Sequence, residues 1–301
     1  MYNGAMKKRG EWAMELKHVA AREGRLSGFL KGELGMSTGL MNRLKWTSSI
    51  LVNGSPARTN YPVSPGDTIT VLLDDPEPEY PAEDIPLSIC YEDSHLLVVD
   101  KPAGMLIHPS RHRNTGTLAN GVLGYYRRTG QSCAFHPATR LDRDTYGLVL
   151  LGKNSHVHRL LCELHAEGRL QKTYHALVYG APPREEGLID APIARLPLPS
   201  LLRQVGPQGQ PSQTRYRVLR REEDRSLLAL MPLTGRTHQL RVHCAYMGCP
   251  ILGDPQYGTP ESQALSQALG YSYQRLCARA LDFPHPMTGA PMHLESAMDA
   301  E

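Results

Sequence analysis

The stretch His136-Pro137-Ala138-Thr139-Arg140-Leu141-Asp142-Arg143-Asp144-Thr145-Tyr146-Gly147, emptying into Leu148-Val149-Leu150-Leu151, decides how the rest of the chain is read. It puts two arginines and two aspartates on a turn-rich loop that feeds an apolar strand. Loops held by a rigid sheet are where chemistry usually sits. Taken alone, an Arg-Leu-Asp triplet is more often a solvated surface loop. What flanks it changes that balance.

Upstream, His95-Leu96-Leu97-Val98-Val99-Asp100-Lys101-Pro102-Ala103-Gly104 reads as a buried strand ending in a turn built by proline and glycine. Lys101 at its end could face a site, although a capping or solvated lysine is the more common case. The spacing of Leu118, Val122, Leu123, Tyr125 and Tyr126 predicts a helix over Thr117 to Arg128. Downstream, Ser155 caps a helix through Leu164. Lys172 to Gly180 alternates as a strand, and Gln213–Arg221 with Ser226–Leu233 reads as a strand pair. Leu233-Thr234-Gly235-Arg236-Thr237-His238-Gln239-Leu240-Arg241-Val242-His243 is a turn opening a helix, whose free N–H groups attract anions. Gly253-Asp254 and Gln256-Tyr257-Gly258 form a further turn, and two strands close the chain at Arg275–Phe283 and Pro291–Ser296.

The 301 residues allow one large domain or two modest ones, with ordinary apolar content of 41% and 21% charge. No apolar run approaches the roughly 18 residues of a membrane helix. The first residues lack the apolar core of a secretory signal. Cys90, Cys133, Cys162, Cys244, Cys249 and Cys277 form no CxxC pair, which suits reduced thiols in a cytoplasmic protein rather than a zinc site or disulfide scaffold. Net charge is only +3, but residues 1–73 alone carry a net of about +5, and 25 of the 33 basic residues are arginine. Arginine's planar fork suits phosphate and base stacking, although arginine can also track genomic composition.

Residues 1–20 show weak helical character and read as an extension. From residue 21 to 75 a small domain is predicted. Leu26, Phe29, Leu30 and Leu34 mark one helix ended by Gly35, and Ser37 or Thr38 caps a second bearing Leu40, Met41 and Leu44. Ile50-Leu51-Val52-Asn53-Gly54 then leads through Pro65-Gly66-Asp67 to the strand Thr68–Leu73. Over about Arg25 to Leu73 this resembles the αL RNA-binding domain first known from a ribosomal small-subunit protein, with Ser27 where an aspartate is common. The resemblance implies that Arg25, Arg43, Lys45 and Arg58 offer RNA a phosphate-tracking face. Residues 76–86, acidic and proline-rich, read as an extended linker, and 87–301 as a second, larger domain.

Four blocks, LLVVDKPAGMLIHP, RLDRDTYGLVLLGK, KTYHALVYG and LTGRTHQLRVHCAYMGCPILGDPQYG, stand in order over about Ile89 to Leu294, with a weaker RLCARALDFPHPMTG. Together they are similar to the RluA-type RNA pseudouridine synthases. The resemblance implies an α+β catalytic fold with a mixed, largely antiparallel central sheet flanked by helices, beside a small α/β RNA-binding domain. It implies conversion of uridine to pseudouridine in RNA without a cofactor. Structured ribosomal and transfer RNA are both candidate targets, a monomer is expected, and the Cys/His spacing and hydropathy point to no metal and no membrane partner. Asp142 matches the essential carboxylate, acting by a glycal, acylal or ring-addition route. Arg241 matches its guanidinium partner, and Tyr174 the aromatic under the base and a candidate proton acceptor. Leu276 matches the residue packing the uracil, and Arg140 the one filling the stack left by the flipped base. Arg236 and His238 sit at the helix start, to touch phosphate or order the site.

Each of these has a blander reading: Tyr174 as core, Arg241 as a surface ion pair, His238 and His243 as packed histidines, Asp144 as loop support. Three positions depart from the family pattern. Thr139 stands where histidine is usual, Tyr146 where serine is, and Cys277 where histidine is. The bulk of Tyr146 suggests a narrowed or reshaped pocket. Two rival functions remain at this stage: a degenerate RNA-docking protein of the same fold, and a nucleoside hydrolase, which would need a second carboxylate.

Overall fold

A computed structural model describes residues 14–44, 47–73, 80–110, 113–197 and 200–301. Lys45 and the acidic residues 74–79 lie outside the described residues. The chain divides into two compact units, one built mainly on Met1–Glu79 and the other on Tyr80–Tyr125, Phe135–Lys153 and Val157–Glu301.

In the smaller unit the elements are β1 (Met14–Val19), β2 (Gly24–Arg25), α1 (Leu26–Gly32), α2 (Thr38–Leu44), β3 (Ile50–Val52), β4 (Ser55–Pro56), β5 (Pro62–Val63) and β6 (Thr68–Leu73). A four-stranded sheet runs β1-β6-β3-β4. Leu26, Phe29 and Leu30 of α1 and Met41 and Leu44 of α2 are buried, as their helical spacing requires. The Ser37 hydroxyl accepts the N–H of Leu40 and caps α2. One expectation is corrected. Residues 14–19, read as weakly helical extension, form a strand antiparallel to β6 from Met14↔Leu73 to Val19↔Thr68. The clue was period two: Leu16 is buried between exposed Glu15 and Lys17. Arg25, Arg43 and Arg58 are exposed.

The larger unit holds β7 (Ser88–Glu92), β8 (Leu96–Lys101), most of α3 (Leu118–Arg128), β9 (His136–Pro137), β10 (Tyr146–Gly152), most of α4 (Ser155–Ala166), β11 (Gln171–Tyr179), β12 (Glu186–Asp190), β13 (Ile193–Arg195), β14 (Arg203–Val205), β15 (Gln213–Arg221), β16 (Arg225–Pro232), α5 (Gln239–Tyr246), α6 (Pro260–Ala268), β17 (Leu276–Pro284) and β18 (Pro291–Glu295). The central sheet runs β12-β15-β16-β11-β17-β10-β8-β7, with β18 on β17 and β9 on β10. Every pairing in it is antiparallel except β10 with β17, so the α+β, mixed and largely antiparallel sheet is as expected. Strands β8 and β10 are buried along their whole length, which explains their near-continuous apolar runs. The β13–β14 hairpin and α6 carry no counterpart in the sequence reading.

Part of the expected linker is hydrogen-bonded at the start of α3. The Glu83 N–H bonds the Asn120 carbonyl, and its carboxylate accepts the N–H of Gly116. Gly124 lets this segment approach α3, since a Cβ there would sit 1.8 Å from the Glu83 carbonyl oxygen.

Neighbouring residues on extended strands face opposite ways. Tyr174, Ala176, Leu228, Leu230, Leu276 and Ala278 pack with Leu240 and Cys244 of α5. Leu177, Leu227 and Cys277 pack instead with Tyr146, Leu252 and Ala300. The site lies on the first of these faces.

Candidate active site

Asp142 stands on the loop that leads into β10, and that loop is held at several points. The Leu150 N–H donates to the Thr139 hydroxyl at 2.9 Å, and the Thr145 N–H to the Asp142 carbonyl at 3.2 Å. The Gln274 amide donates to the Thr145 hydroxyl at 2.8 Å. Fully buried Lys101 directs its ammonium at the carbonyls of Pro102, Met105 and Arg143, at 2.9, 2.9 and 3.0 Å. Three donors meet three acceptors, so the cation fastens the end of β8 to the Asp142 loop. Burial pushes its pKa down to about 8, against the pull of Asp144 and Asp142. Lys101 is therefore not solvated: it is buried and caps carbonyls at the end of its strand. Asp144 pairs with Arg143 at 2.7 Å, the loop-support role expected of it.

Arg241 is 5% exposed on the first turns of α5. Its Nε and Nη2 reach the two Asp254 oxygens at 2.7 and 2.8 Å, and Nη2 also donates to Gln256 Oε1 at 2.7 Å. Such a two-point grip fixes the plane of the guanidinium. Nη1 is left to face Asp142 Oδ2 at 3.4 Å. Tyr257 lies over the guanidinium at 4.9 Å. Interaction with Asp254 and then Asp142 outweighs burial and raises the Arg241 pKa further.

The turn before α5 is held by Gln239, whose amide oxygen accepts from Thr234 Oγ1 and the Arg236 N–H while its nitrogen donates to the Gln213 carbonyl and Thr214 Oγ1. His238 follows at φ +59°, a left-handed conformation that histidine adopts more readily than most residues but still uncommon. Its side chain does not cap the helix. Nδ1 lies 2.8 Å from the Tyr257 hydroxyl and Nε2 3.9 Å from Asp142 Oδ2. His243 is fully buried between Thr214 and the Ala191 carbonyl, the packed role expected of it.

Asp142, Tyr174, Arg241, Arg140, Leu276, Arg236 and His238 all line one open cleft of about 700 Å³. Tyr174 is buried, and burial followed by the Asp142 charge raises its pKa well above the usual tyrosine range. Arg140 and Arg236 are exposed at the rim. Lys172 also lines the cleft, its pKa lowered by burial. Sequence reasoning missed the grip of Asp254 and Gln256 on Arg241 and the two contacts of Tyr257, although it marked their turn. Among the described residues, no group of three or more His, Cys, Asp or Glu side chains could hold a metal ion.

The expectation that Tyr146 narrows or reshapes the pocket is corrected, and Cys277 lies with it. Neither lines the cleft. Gly147 has φ +105°, and a Cβ there would lie 2.4 Å from the Ala278 carbonyl oxygen. With the backbone turned at Gly147, Tyr146 packs in the cluster behind the sheet and donates to the Asp299 carbonyl at 2.9 Å. Cys277 is buried there too, directing its thiol at the Met298 carbonyl. Thr139 does line the cleft.

A model of the family described as RNA pseudouridylate synthase matches residues 95–246. The chain belongs to this family. It is 36% identical over 272 residues to an uncharacterized RNA pseudouridine synthase, YjbO, of Bacillus subtilis, covering 89% of this chain and 93% of that one. Identity to the ribosomal large subunit pseudouridine synthase D of Nitrosomonas europaea is 34% over 253 residues, 83% of this chain and 73% of the relative. Among solved structures, human RNA pseudouridylate synthase domain containing 1 superposes with a TM-score of 0.59 at 27% identity, covering 72% of this chain and 86% of that one. The RluA-type resemblance of the sequence blocks is thereby borne out, and the chain is an RNA pseudouridine synthase, an isomerase acting on RNA.

Proposed function

We propose that the chain converts a flipped uridine in ribosomal or transfer RNA to pseudouridine, with Asp142 as the catalytic carboxylate. The observation that carries this reading is the position of Asp142 on the cleft wall, 3.4 Å from a guanidinium immobilised by Asp254 and Gln256. Isomerisation cuts a glycosidic bond and rejoins the base through carbon. An ionised carboxylate can attack as nucleophile or stabilise cationic character on the sugar. Arg241 gives the carboxylate a fixed cationic partner as the nucleotide displaces water. Tyr174 and Leu276 form the apolar floor for the base; the raised Tyr174 pKa keeps the phenol protonated, so it takes the last proton from C5 only as its own hydroxyl proton passes to solvent. A flipped base leaves a gap that Arg140 fills. Arg236, His238 and Lys172 give the cleft donors for ribose and phosphate oxygens, and exposed Arg25, Arg43 and Arg58, with Lys45, add salt-sensitive affinity in the smaller unit.

The enzyme acts as a cytoplasmic monomer without a cofactor in this reading. No helix among the described residues is long and apolar enough to cross a membrane. The test is a map of pseudouridines across total RNA with and without the gene, repeated with Asp142→Ala. Sites that vanish with the gene and return with wild type but not Asp142→Ala are expected. A map unchanged by deletion, or restored by Asp142→Ala, overturns the reading.

A further inference from the structure

We propose that Tyr257 is a positioning residue whose hydroxyl holds His238 in the tautomer that points an N–H at Asp142. The Tyr257 oxygen accepts the Arg203 backbone N–H at 2.9 Å, and its other polar neighbour is His238 Nδ1 at 2.8 Å. A phenol has one proton to donate. With the Arg203 N–H already aimed at the oxygen, that proton goes to Nδ1. The neutral imidazole then carries its hydrogen on Nε2, 3.9 Å from Asp142 Oδ2. The opposite tautomer leaves the phenol proton only solvent as an acceptor and turns an unprotonated Nε2 toward a carboxylate. Both changes are unfavourable.

The groups around His238 keep it neutral. Burial, Arg241 and Arg203 lower its pKa, and Asp142 and Asp254 oppose them. The backbone is committed to this arrangement too. His238 occupies the N-cap of α5 in a left-handed conformation, yet its side chain makes no capping bond and meets Tyr257 edge-on, with ring centroids 5.7 Å apart. Tyr257 is itself anchored, its N–H 3.3 Å from Asp254 Oδ1 and its ring over Arg241. One tyrosine therefore orients both donors beside Asp142, and the backbone of β14 sets its hydroxyl. The gap of 3.9 Å is wider than a hydrogen bond and leaves Nε2–H available to Asp142 or to an oxygen of the incoming nucleotide. Histidines used in this way depend on a partner for their tautomer.

The inference rests on Asp142 as the reacting carboxylate, but its tautomer claim is read without RNA. Long-range ¹H–¹⁵N spectra of the full-length, ¹⁵N-histidine-labelled protein identify the protonated nitrogen of His238, assigned by loss of its signals in His238→Gln. The wild type is expected to show a neutral ring at pH 7 protonated on Nε2. Tyr257→Phe keeps the ring over Arg241 and is expected to mix the tautomers. It should also lower kcat by roughly 10²-fold, the lower end of what a correctly protonated imidazole supplies, with KM and melting temperature little changed. A wild-type ring protonated on Nδ1 overturns the proposal. So does Tyr257→Phe with an unchanged tautomer, whatever its kcat, or a mixed tautomer with full kcat. A wild type with the expected tautomer that makes no pseudouridine in any cellular RNA defeats the functional reading and leaves the hydrogen-bond assignment standing.

Discussion

Strands β11 and β17 carry different work on their two faces, one residue apart. Tyr174 and Leu276 face the cleft with Asp142 and Arg241. Their neighbours His175 and Cys277 are held by the C-terminal segment, His175 through Asp299 at 2.9 Å and Cys277 through the Met298 carbonyl. The cleft face keeps charge and donors near an open space, whereas the rear face ties its polar groups to backbone and carboxylates. Two of the three departures from the family pattern, Tyr146 and Cys277, fall on the rear face. They alter how the sheet is backed, not the cleft lining.

Substitutions on the two faces should therefore separate into loss of chemistry and loss of stability. The largest effect is expected where both meet. Arg241→Met strands Asp254, a buried carboxylate, and should destabilise the fold by about 3–5 kcal/mol in denaturant titrations. It should also lower kcat by about 10²–10³-fold, as removal of a preorganised charge partner does. Full kcat in this variant would break the division between the faces.

Next is Lys101→Met, which loses the clamp on the Asp142 loop. An unfolded lysine titrates near 10.5 and the folded Lys101 at about 8. Between these values the unfolded chain holds a proton that the folded chain lacks, so wild-type stability should rise with pH across that window, by up to about 3 kcal/mol. Below pH 8 both forms are protonated and no slope is expected from this group. Lys101→Met should lack the rise, and parallel stability curves for the two proteins would contradict the assignment.

On the rear face, Tyr146→Phe should lose about 1 kcal/mol with the Asp299 bond, and kcat should stay at the wild-type value. A fall in kcat without a change in melting temperature would put Tyr146 back in the cleft's chemistry. The smallest effect belongs to the small unit. Arg58→Ala should leave kcat unchanged and reduce the salt dependence of RNA binding by at most about one phosphate contact.

Much of this was legible because the signals were local. The apolar runs of β8 and β10, the turn opening α5, and the alternation of β11 each sit within a dozen residues. The Asp142, Tyr174 and Arg241 set came from block order and converges in one cleft. What escaped depends on distant chemistry or a single dihedral. Nothing near Arg241 says that Asp254 grips it or that Tyr257 stacks on it. The facing of Tyr146 turns on the positive φ of Gly147. Strand β1 was misread because six residues alternate too briefly to outweigh mixed composition, and β13–β14 lies in a segment of prolines and leucines without clear period. Helix α6 did carry a local signal, Thr259 capping before Pro260, that went unread.

The most direct test compares wild type and Asp142→Asn for tritium release from RNA labelled with [5-³H]uridine under single-turnover conditions. Attachment of the base through C5 expels that tritium, and asparagine preserves the shape but not the charge. Release at the wild-type rate from the wild type, and a rate at least about 10³-fold lower from Asp142→Asn with an unchanged melting curve, is the predicted result. Equal rates from the two proteins would remove Asp142 from the reaction.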